Sequence, residues 1–317
     1  MKKNKHKLVT LAALTAMATA VIHCVNKFVS ASAQLKEMLD MSGRKTYSWR
    51  FGNIHYTKKG QGSPLLLIHD VLPGASGQEW SKVEKQLSTE YTVYTVDLLG
   101  CGRSEKPGIT YTNFLYVQMI SDFIKNVIGE KTDVIASGFS GSFVVMACHN
   151  EKELFKKIML INPPCISKLK EMPGQREKLL KSFLEIPVFG TLVYHMAVSR
   201  ESVNNLFIER LYFNPFHVDK DMIDTYYEAA HKGGFYAKSL YASMISQFMN
   251  INLVHALKSL DNSVYIAEGE AEPNGPAIID EYCKTNPAIE TVSIPAARHI
   301  PHIENPEAFL EQVGIFF

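Results

Sequence analysis

The stretch Asp133 to His149, DVIASGFSGSFVVMACH, constrains this chain most. An apolar run, Val134 to Ala136, passes through Gly138-Phe139-Ser140-Gly141-Ser142 and resumes as Phe143-Val144-Val145-Met146-Ala147. This pattern predicts a buried strand that turns sharply on small residues into a helix. Ser140 stands at the centre, with Gly138 two before it and Ser142 two after it. In that register the turn aims the serine hydroxyl away from the sheet, and the N–H groups that follow face an incoming carbonyl oxygen. A second register, Ser137-Gly138-Phe139-Ser140-Gly141, satisfies the same spacing but puts Phe139 at the apex. The rest of the chain has to decide between them.

With 317 residues the chain can hold one large α/β domain with an insertion, or two ordinary domains. Its 46% apolar and 21% charged residues are those of a packed globule. A formal charge of +1 gives no pointer to nucleic acid. The cysteines at 24, 101, 148, 165 and 283 form no C-x-x-C pair, so neither a disulfide frame nor a zinc site is expected. No metal or cofactor is expected from any other pattern.

Met1 to Lys7 is basic, and Leu8 to Val25 is apolar apart from a few threonines and His23. This segment, residues 1–33, reads as a signal peptide or signal anchor. Ala31-Ser32-Ala33 resembles a cleavage site, but Lys27 separates it from the apolar run. The run approaches the roughly twenty residues that span a bilayer. A basic flank held in the cytoplasm would put the rest of the chain outside. The expectation is an uncleaved membrane anchor with an extracytoplasmic domain. A cleaved signal with a secreted domain is the alternative, then a loosely docked helix on a cytoplasmic protein.

Tyr47 to Phe51 and Ile54 to Tyr56 alternate on either side of Gly52-Asn53, which predicts a hairpin turning there. Pro64 to Ile68 reads as a fully buried strand ending at His69-Asp70-Val71. Trp80 to Leu87 predicts a helix, and Tyr91 to Val96 another strand, ending at Asp97-Leu98-Leu99-Gly100-Cys101-Gly102-Arg103-Ser104. Tyr116, Ile120, Phe123 and Val127 give a helix that stops at Gly129. Strand and helix alternating in this way predict a mostly parallel twisted sheet with helices on both faces.

Three of these motifs together resemble the α/β-hydrolase superfamily, in its cap-bearing branch of small serine esterases, C–C hydrolases and haloperoxidase-like enzymes. His69 closes a strand as in the family's H-G-x segment, Asp97-x-x-Gly100-x-Gly102-x-Ser104 matches its D-x-x-G-x-G-x-S loop, and Gly138-x-Ser140 follows. The resemblance covers Tyr47 to the C-terminus, and the whole of residues 34–317 is expected to be one hydrolase domain. The Gly100-x-Gly102 pair lacks the third glycine of a dinucleotide loop. Asp97 is expected to order its loop, and His69 to anchor a strand end.

Lys157 to Ile161 is a further strand, ending at Asn162-Pro163-Pro164. From about 167 to 257 apolar and aromatic residues recur at helical spacing with no strand-like alternation, a stretch too long for one crossover. The resemblance makes it a helical cap over the sheet's edge, and its Phe, Tyr and Met content suits an apolar pocket. Ser263 to Ala267 and Thr291 to Ile294 are the last strands. Glu272 stands where the family's G-x-x-D-P segment has its aspartate, with Glu268, Glu270 and Asp280 as fallbacks. His299 matches the catalytic histidine, with His302 as its neighbour, and Asn305-Pro306 caps a final helix. His299-x-x-His302 beside Glu304 is not on a helix as zincins require, because Pro301 interrupts.

By this resemblance the order Ser140, Glu272, His299 implies a nucleophile, acid and base, with Gly141 and Val71 N–H groups as the oxyanion hole. The implied activity is carboxylic ester hydrolysis through an acyl-enzyme, on a small or lipid-like apolar ester. One departure stands out. The family has glycine after His69, and here it is Asp70. A side chain there would crowd the oxyanion loop or set a negative charge beside a developing anion. With Ser142 and Glu272 it supports the alternative, a membrane-anchored, non-catalytic ligand-binding protein on the same scaffold.

Overall fold

The computed structural model describes residues 2–39, 43 and 45–317. Its frame is an eight-stranded sheet: β1 (Lys45–Trp49), β2 (Gly52–Lys59), β3 (Ser63–Ile68), β4 (Tyr91–Val96), β5 (Thr132–Ser137), β6 (Phe155–Ile161), β7 (Val264–Gly269) and β8 (Glu290–Ile294). The spatial order is β1-β2-β4-β3-β5-β6-β7-β8. Among the described residues the β1–β2 and β2–β4 pairs are antiparallel and the other pairs parallel. The fold is that of the α/β-hydrolases, as the resemblance implied.

Period-two alternation sorts the parallel strands onto two cores. Leu66, Ile68, Val134, Ala136, Ile158 and Leu160 face one layer. Leu65, Leu67, Ile135, Met159 and Ile161 face the other. Both faces are covered, so these strands read as unbroken apolar runs rather than alternating ones. Helices from Asn113–Phe123 and Ser140–Asn150 cover one layer, and Pro306–Phe316 closes the other.

Strand order reverses where β3 pairs with both β4 and β5, with Ile68 beside Ala136. Open α/β sheets bind ligands beyond the strand ends at such a switch point. The chains leaving β3 and β5 here are Asp70-Val71 and Gly138-Phe139. Beyond them, β6, β7 and β8 end at Asn162, Glu272 and His299. Asn162 clamps the last two: its Nδ2 donates to the carbonyls of Arg298 and His299, and its Oδ1 accepts from the Gly269 N–H.

The expected loop roles hold. Asp97 accepts from the N–H groups of Gly77 and Arg103 and pairs with the buried Arg103 guanidinium. His69 Nε2 accepts from the Leu98 N–H, which leaves Nδ1–H to donate to the Asp70 carbonyl. Two details differ from the sequence reading. Trp49 pairs with Gly52, so the hairpin turns on Arg50-Phe51 rather than on Gly52-Asn53. The Trp80–Leu87 helix is instead a 3-10 turn, Gly77–Trp80, and a short helix, Glu84–Leu87, because Ser76 caps the chain early and Gly77 is held to Asp97.

From Ile166 to Lys258 the described chain is helical without a strand, over the end of the sheet where the switch point lies. The N-terminal helix, α1 (Lys2–Ala33), leans on this layer. Leu8, Val9, Leu11, Leu14, Met17 and Val21 are exposed. Further on, the Asn26 amide donates to the Val188 carbonyl, Lys36 pairs with Asp224, and the Met38 N–H donates to Glu228. The stretch His6–Ala33 is long and apolar enough to cross a membrane.

Asp97→Ala would leave the buried Arg103 charge without this partner and free two backbone donors. Loss of one half of a buried ion pair costs roughly 3 kcal/mol or more. Chemical denaturation should show a lower midpoint with an unchanged slope.

Candidate active site

The turn after β5 has its apex at Gly138, not at Ser140. Gly138 is the residue with left-handed backbone, φ 54°. Ser140 already belongs to the following helix. Its hydroxyl is buried and donates to the Ser137 carbonyl at 2.8 Å. The structure therefore does not bring Ser140 to His299, and the expectation of a Ser140 nucleophile is corrected. Gly141 is corrected likewise: its N–H donates back to the Gly138 carbonyl at 3.2 Å, as a first-turn helical donor. Neither register weighed from the sequence was the one adopted. The small residues flanking the apex are Ala136 and Ser140, which makes the apex a residue with no side chain at all.

The space above Gly138 is filled by Asp70. A Cβ built on Gly138 would overlap the Asp70 carboxyl group. Oδ1 of Asp70 accepts from the N–H groups of Val71 and Phe139, each at 2.7 Å. Those are the residue that follows the apex and the loop after β3, the two sources of an oxyanion hole in this architecture. Val71 and Phe139 each supply one donor, and Asp70 Oδ1 sits between them.

Oδ2 of Asp70 lies 3.3 Å from His299 Nε2, and His299 Nδ1 lies 3.3 Å from Glu272 Oε1. Glu272 rather than Glu268, Glu270 or Asp280 meets the imidazole. His302 faces the other way and lies 3.2 Å from Glu79, with neither side chain exposed. Glu79 also accepts from the Asp70 N–H at 3.3 Å. The His299 N–H donates to the Leu211 carbonyl, tying the loop to the helical layer. Glu304 reinforces that tie by accepting from the N–H groups of Arg298, Phe213 and Asn214.

The charges reinforce one another. Burial works against an imidazolium at His299, but hydrogen bonds to Asp70 and Glu272 and their negative charges outweigh it and push the group up to about 10. Burial likewise works against a charged Asp70. The bonds from His299, Phe139 and Val71, with the imidazolium's charge, hold it below the ordinary carboxylate value. Asp70, His299 and Glu272 thus form one row with the imidazole in the middle. It opens on a cavity of about 430 Å³ lined by Leu72, Phe139, Leu206 and Met244 on its apolar side and by Lys168 and Arg210. A second cavity of about 410 Å³ shares Leu72, Leu206, Arg210 and Met244 with it.

This geometry lies on a sheet whose family can now be stated: residues 65–312 match the alpha/beta hydrolase family, and the chain belongs to it. It is similar to 2-hydroxy-6-oxo-6-(2'-aminophenyl)hexa-2,4-dienoic acid hydrolase of Metapseudomonas resinovorans, 28% identical over 39% of this chain and 46% of that one. The chain thus spans less than half the length of that relative. A pimeloyl-[acyl-carrier protein] methyl ester esterase of Aeromonas salmonicida is 24% identical over 81% of this chain and 96% of its own. Among solved structures, a membrane phospholipase A superposes with a TM-score of 0.66 at 20% identity, over 98% of this chain and 97% of that one.

The sequence reading missed Phe139 as donor, Asn162 as clamp and Asp70 as occupant. Asp70 had a signal, since it replaced a glycine, and its true partner was the second glycine at 138.

Nitrogen NMR of labelled histidine should find His299 still an imidazolium well above neutral pH, titrating near 10. In Asp70→Asn the value should fall toward the ordinary 6.5. A raised histidine stabilises fully below 6.5 and loses that contribution as pH rises through about 10. The depressed Asp70 adds stability above the usual 3.8 that is lost as pH falls through its lower folded value.

Proposed function

We propose that this protein is a membrane-anchored hydrolase of a small, apolar, lipid-like molecule. Its chemistry runs at Asp70, His299 and Glu272 rather than through a Ser140 acyl-enzyme. The observation that carries the reading is the row of three groups at 3.3 Å spacings opening on a largely apolar cavity. A carboxylate behind an imidazole fixes its orientation and supports its charge, which suits proton transfer to and from water. Lys168 and Arg210 suit an oxyanionic end on the substrate or product.

Carboxylic ester hydrolysis, the activity that the motifs imply, is disfavoured by the same geometry. An ester carbonyl would need both N–H donors, and Asp70 holds them. Loss of one such donor alone costs roughly 3 kcal/mol of transition-state stabilisation. The relatives' esterase and C–C hydrolase names support a hydrolase in general, not ester hydrolysis here. The filled hole and bare apex also favour a second reading, a ligand-binding protein without turnover.

Two experiments test this. A fluorophosphonate probe should leave Ser140 unlabelled in folded protein. A panel of apolar esters and epoxides should contain a substrate whose hydrolysis survives Ser140→Ala and falls roughly 100-fold or more in His299→Ala. No turnover on any member, with a ligand that raises the melting temperature, would favour the binding reading.

The anchoring reading rests on α1. Its apolar residues from Leu8 to Met17 are exposed while Asn26, Lys36 and Met38 are bonded to the helical layer, so the segment is built into the fold. Full-length protein should sediment with membranes and resist extraction by high salt. Recovery of the chain in the soluble fraction, shortened after Ala33, would indicate a cleaved signal instead.

A further inference from the structure

We infer, independently of the hydrolase reading, that the buried His195–His231 pair is an acid-sensitive latch holding the N-terminal helix on the helical layer, and that its protonation releases residues 26–38. His195 lies in the helix Phe189–Ala197, and His231 ends the helix Lys220–His231. α1 packs on both helices. The two imidazoles are buried, with centroids 5.0 Å apart. The Ser30 hydroxyl of α1 lies 3.3 Å from His195 Nε2, and His231 Nδ1 donates to the Tyr227 carbonyl at 2.8 Å. Each ring has one nitrogen left. Among the described residues, His195 Nδ1 and His231 Nε2 are buried without a hydrogen-bond partner.

A neutral pair fits this place and a charged one does not. Tyr194 packs on His195, Tyr227 on His231, and Tyr241 of the helix Lys238–Ile245 on Tyr194. Burial raises all three phenols, so they stay uncharged. The nearby carboxylates are engaged elsewhere. Asp224 pairs with Lys36 and Arg200, Glu228 accepts the Met38 N–H, and Glu185 pairs with Lys181. Lys238 donates to the carbonyls of Glu185 and Ile186, and Lys27 on α1 is exposed. A proton on either ring therefore adds a buried cation beside a second ring that can also charge. Burial, and then the charge of His231, push His195 down to about 4. Burial lowers His231 too, against the opposing bond to the Tyr227 carbonyl. Water reaches His195 once α1 lifts, so the docked helix binds fewer protons than the lifted one. Docking is intact above the ordinary 6.5 and weakens as pH falls toward about 4. The loss is up to roughly tenfold per pH unit for His195 alone.

The segment that α1 holds is strained. Val188, between the helices Gln175–Glu185 and Phe189–Ala197, has φ 65° and ψ −60°, and the Phe189 N–H donates across it to the Pro187 carbonyl. This three-residue turn is rare, and for a β-branched residue it is costly. The Asn26 amide of α1 donates to the Val188 carbonyl at 2.9 Å. Freed from Asn26, the turn can relax and carry the helix Phe189–Ala197 with it. The far end of that helix, Ala197 and Val198, lines the second cavity together with Tyr226 and Ala230 from the helix that carries His231. Acid thus reaches a wall of the second cavity, which shares Leu206 and Met244 with the first.

Hydrogen exchange of full-length protein in detergent micelles tests this, followed from pH 7 to pH 5 with exchange times scaled to the intrinsic rate. Protection of residues 26–38 and 186–198 should fall roughly tenfold or more, while β3 and β5 keep theirs. His195→Phe keeps a ring of similar size and cannot take a proton, so its protection should stay level across the range. Should that variant fail to dock, nitrogen NMR of labelled histidine in the wild type decides. His195 should be neutral at neutral pH and gain its proton together with the loss of protection. Protection that stays flat in the wild type, or falls equally in His195→Phe, would overturn the latch. So would a His195 that titrates near 6.5 with the helix still protected.

Discussion

One carboxylate holds the centre together. Asp70 receives two backbone N–H groups on one oxygen and an imidazolium on the other, in a place that water barely reaches. Charge-assisted hydrogen bonds of this kind are among the strongest that a protein makes, and each partner stabilises the ionised form of the next. Without Asp70, the Val71 and Phe139 donors would face empty space and His299 would keep a single anion. The backbone around it is built to match. His69 donates to the Asp70 carbonyl, Glu79 accepts its N–H, and Gly138 gives it room.

The sheet makes that meeting possible. Parallel strands deliver their following loops to one edge, and the reversal of order between β3 and β5 puts two such loops side by side. The antiparallel β1–β2 hairpin only extends the sheet away from the site. Asn162 and Glu304 then fix the loops from β7 and β8 against each other and against the helical layer. The site is thus a set of loop residues held by backbone bonds.

Much of this was legible in the chain. The buried strands, the loop ordered by Asp97 and the helical layer follow from patterns in which side-chain type and spacing state the role, whereas Glu272, His299 and Val71 were pointed to only by the family resemblance. The apex was not legible from spacing alone. Gly138, Ser140 and Ser142 are all small, and a search for a reactive side chain passes over a glycine. The choice between registers depends on which residue takes positive φ, and glycine meets that demand without strain. Asp70 was visible as an anomaly but not as a replacement, because Gly138, Phe139 and His299, which it meets, lie 68 or more positions further along. Asn162 and Glu304 act through backbone groups, and nothing in a sequence announces that.

The overlap between Gly138 and Asp70 also limits how such a chain can evolve. Restoring a serine at the apex in a single step is sterically closed while the aspartate stands, since any Cβ there would collide with it. Trimming the aspartate first would strand two buried donors and an imidazolium. Each single change is thus opposed by the structure, whereas a paired exchange would relieve both the overlap and the stranded groups. Once acquired, this arrangement works as a ratchet, and its two positions should be inherited as one character.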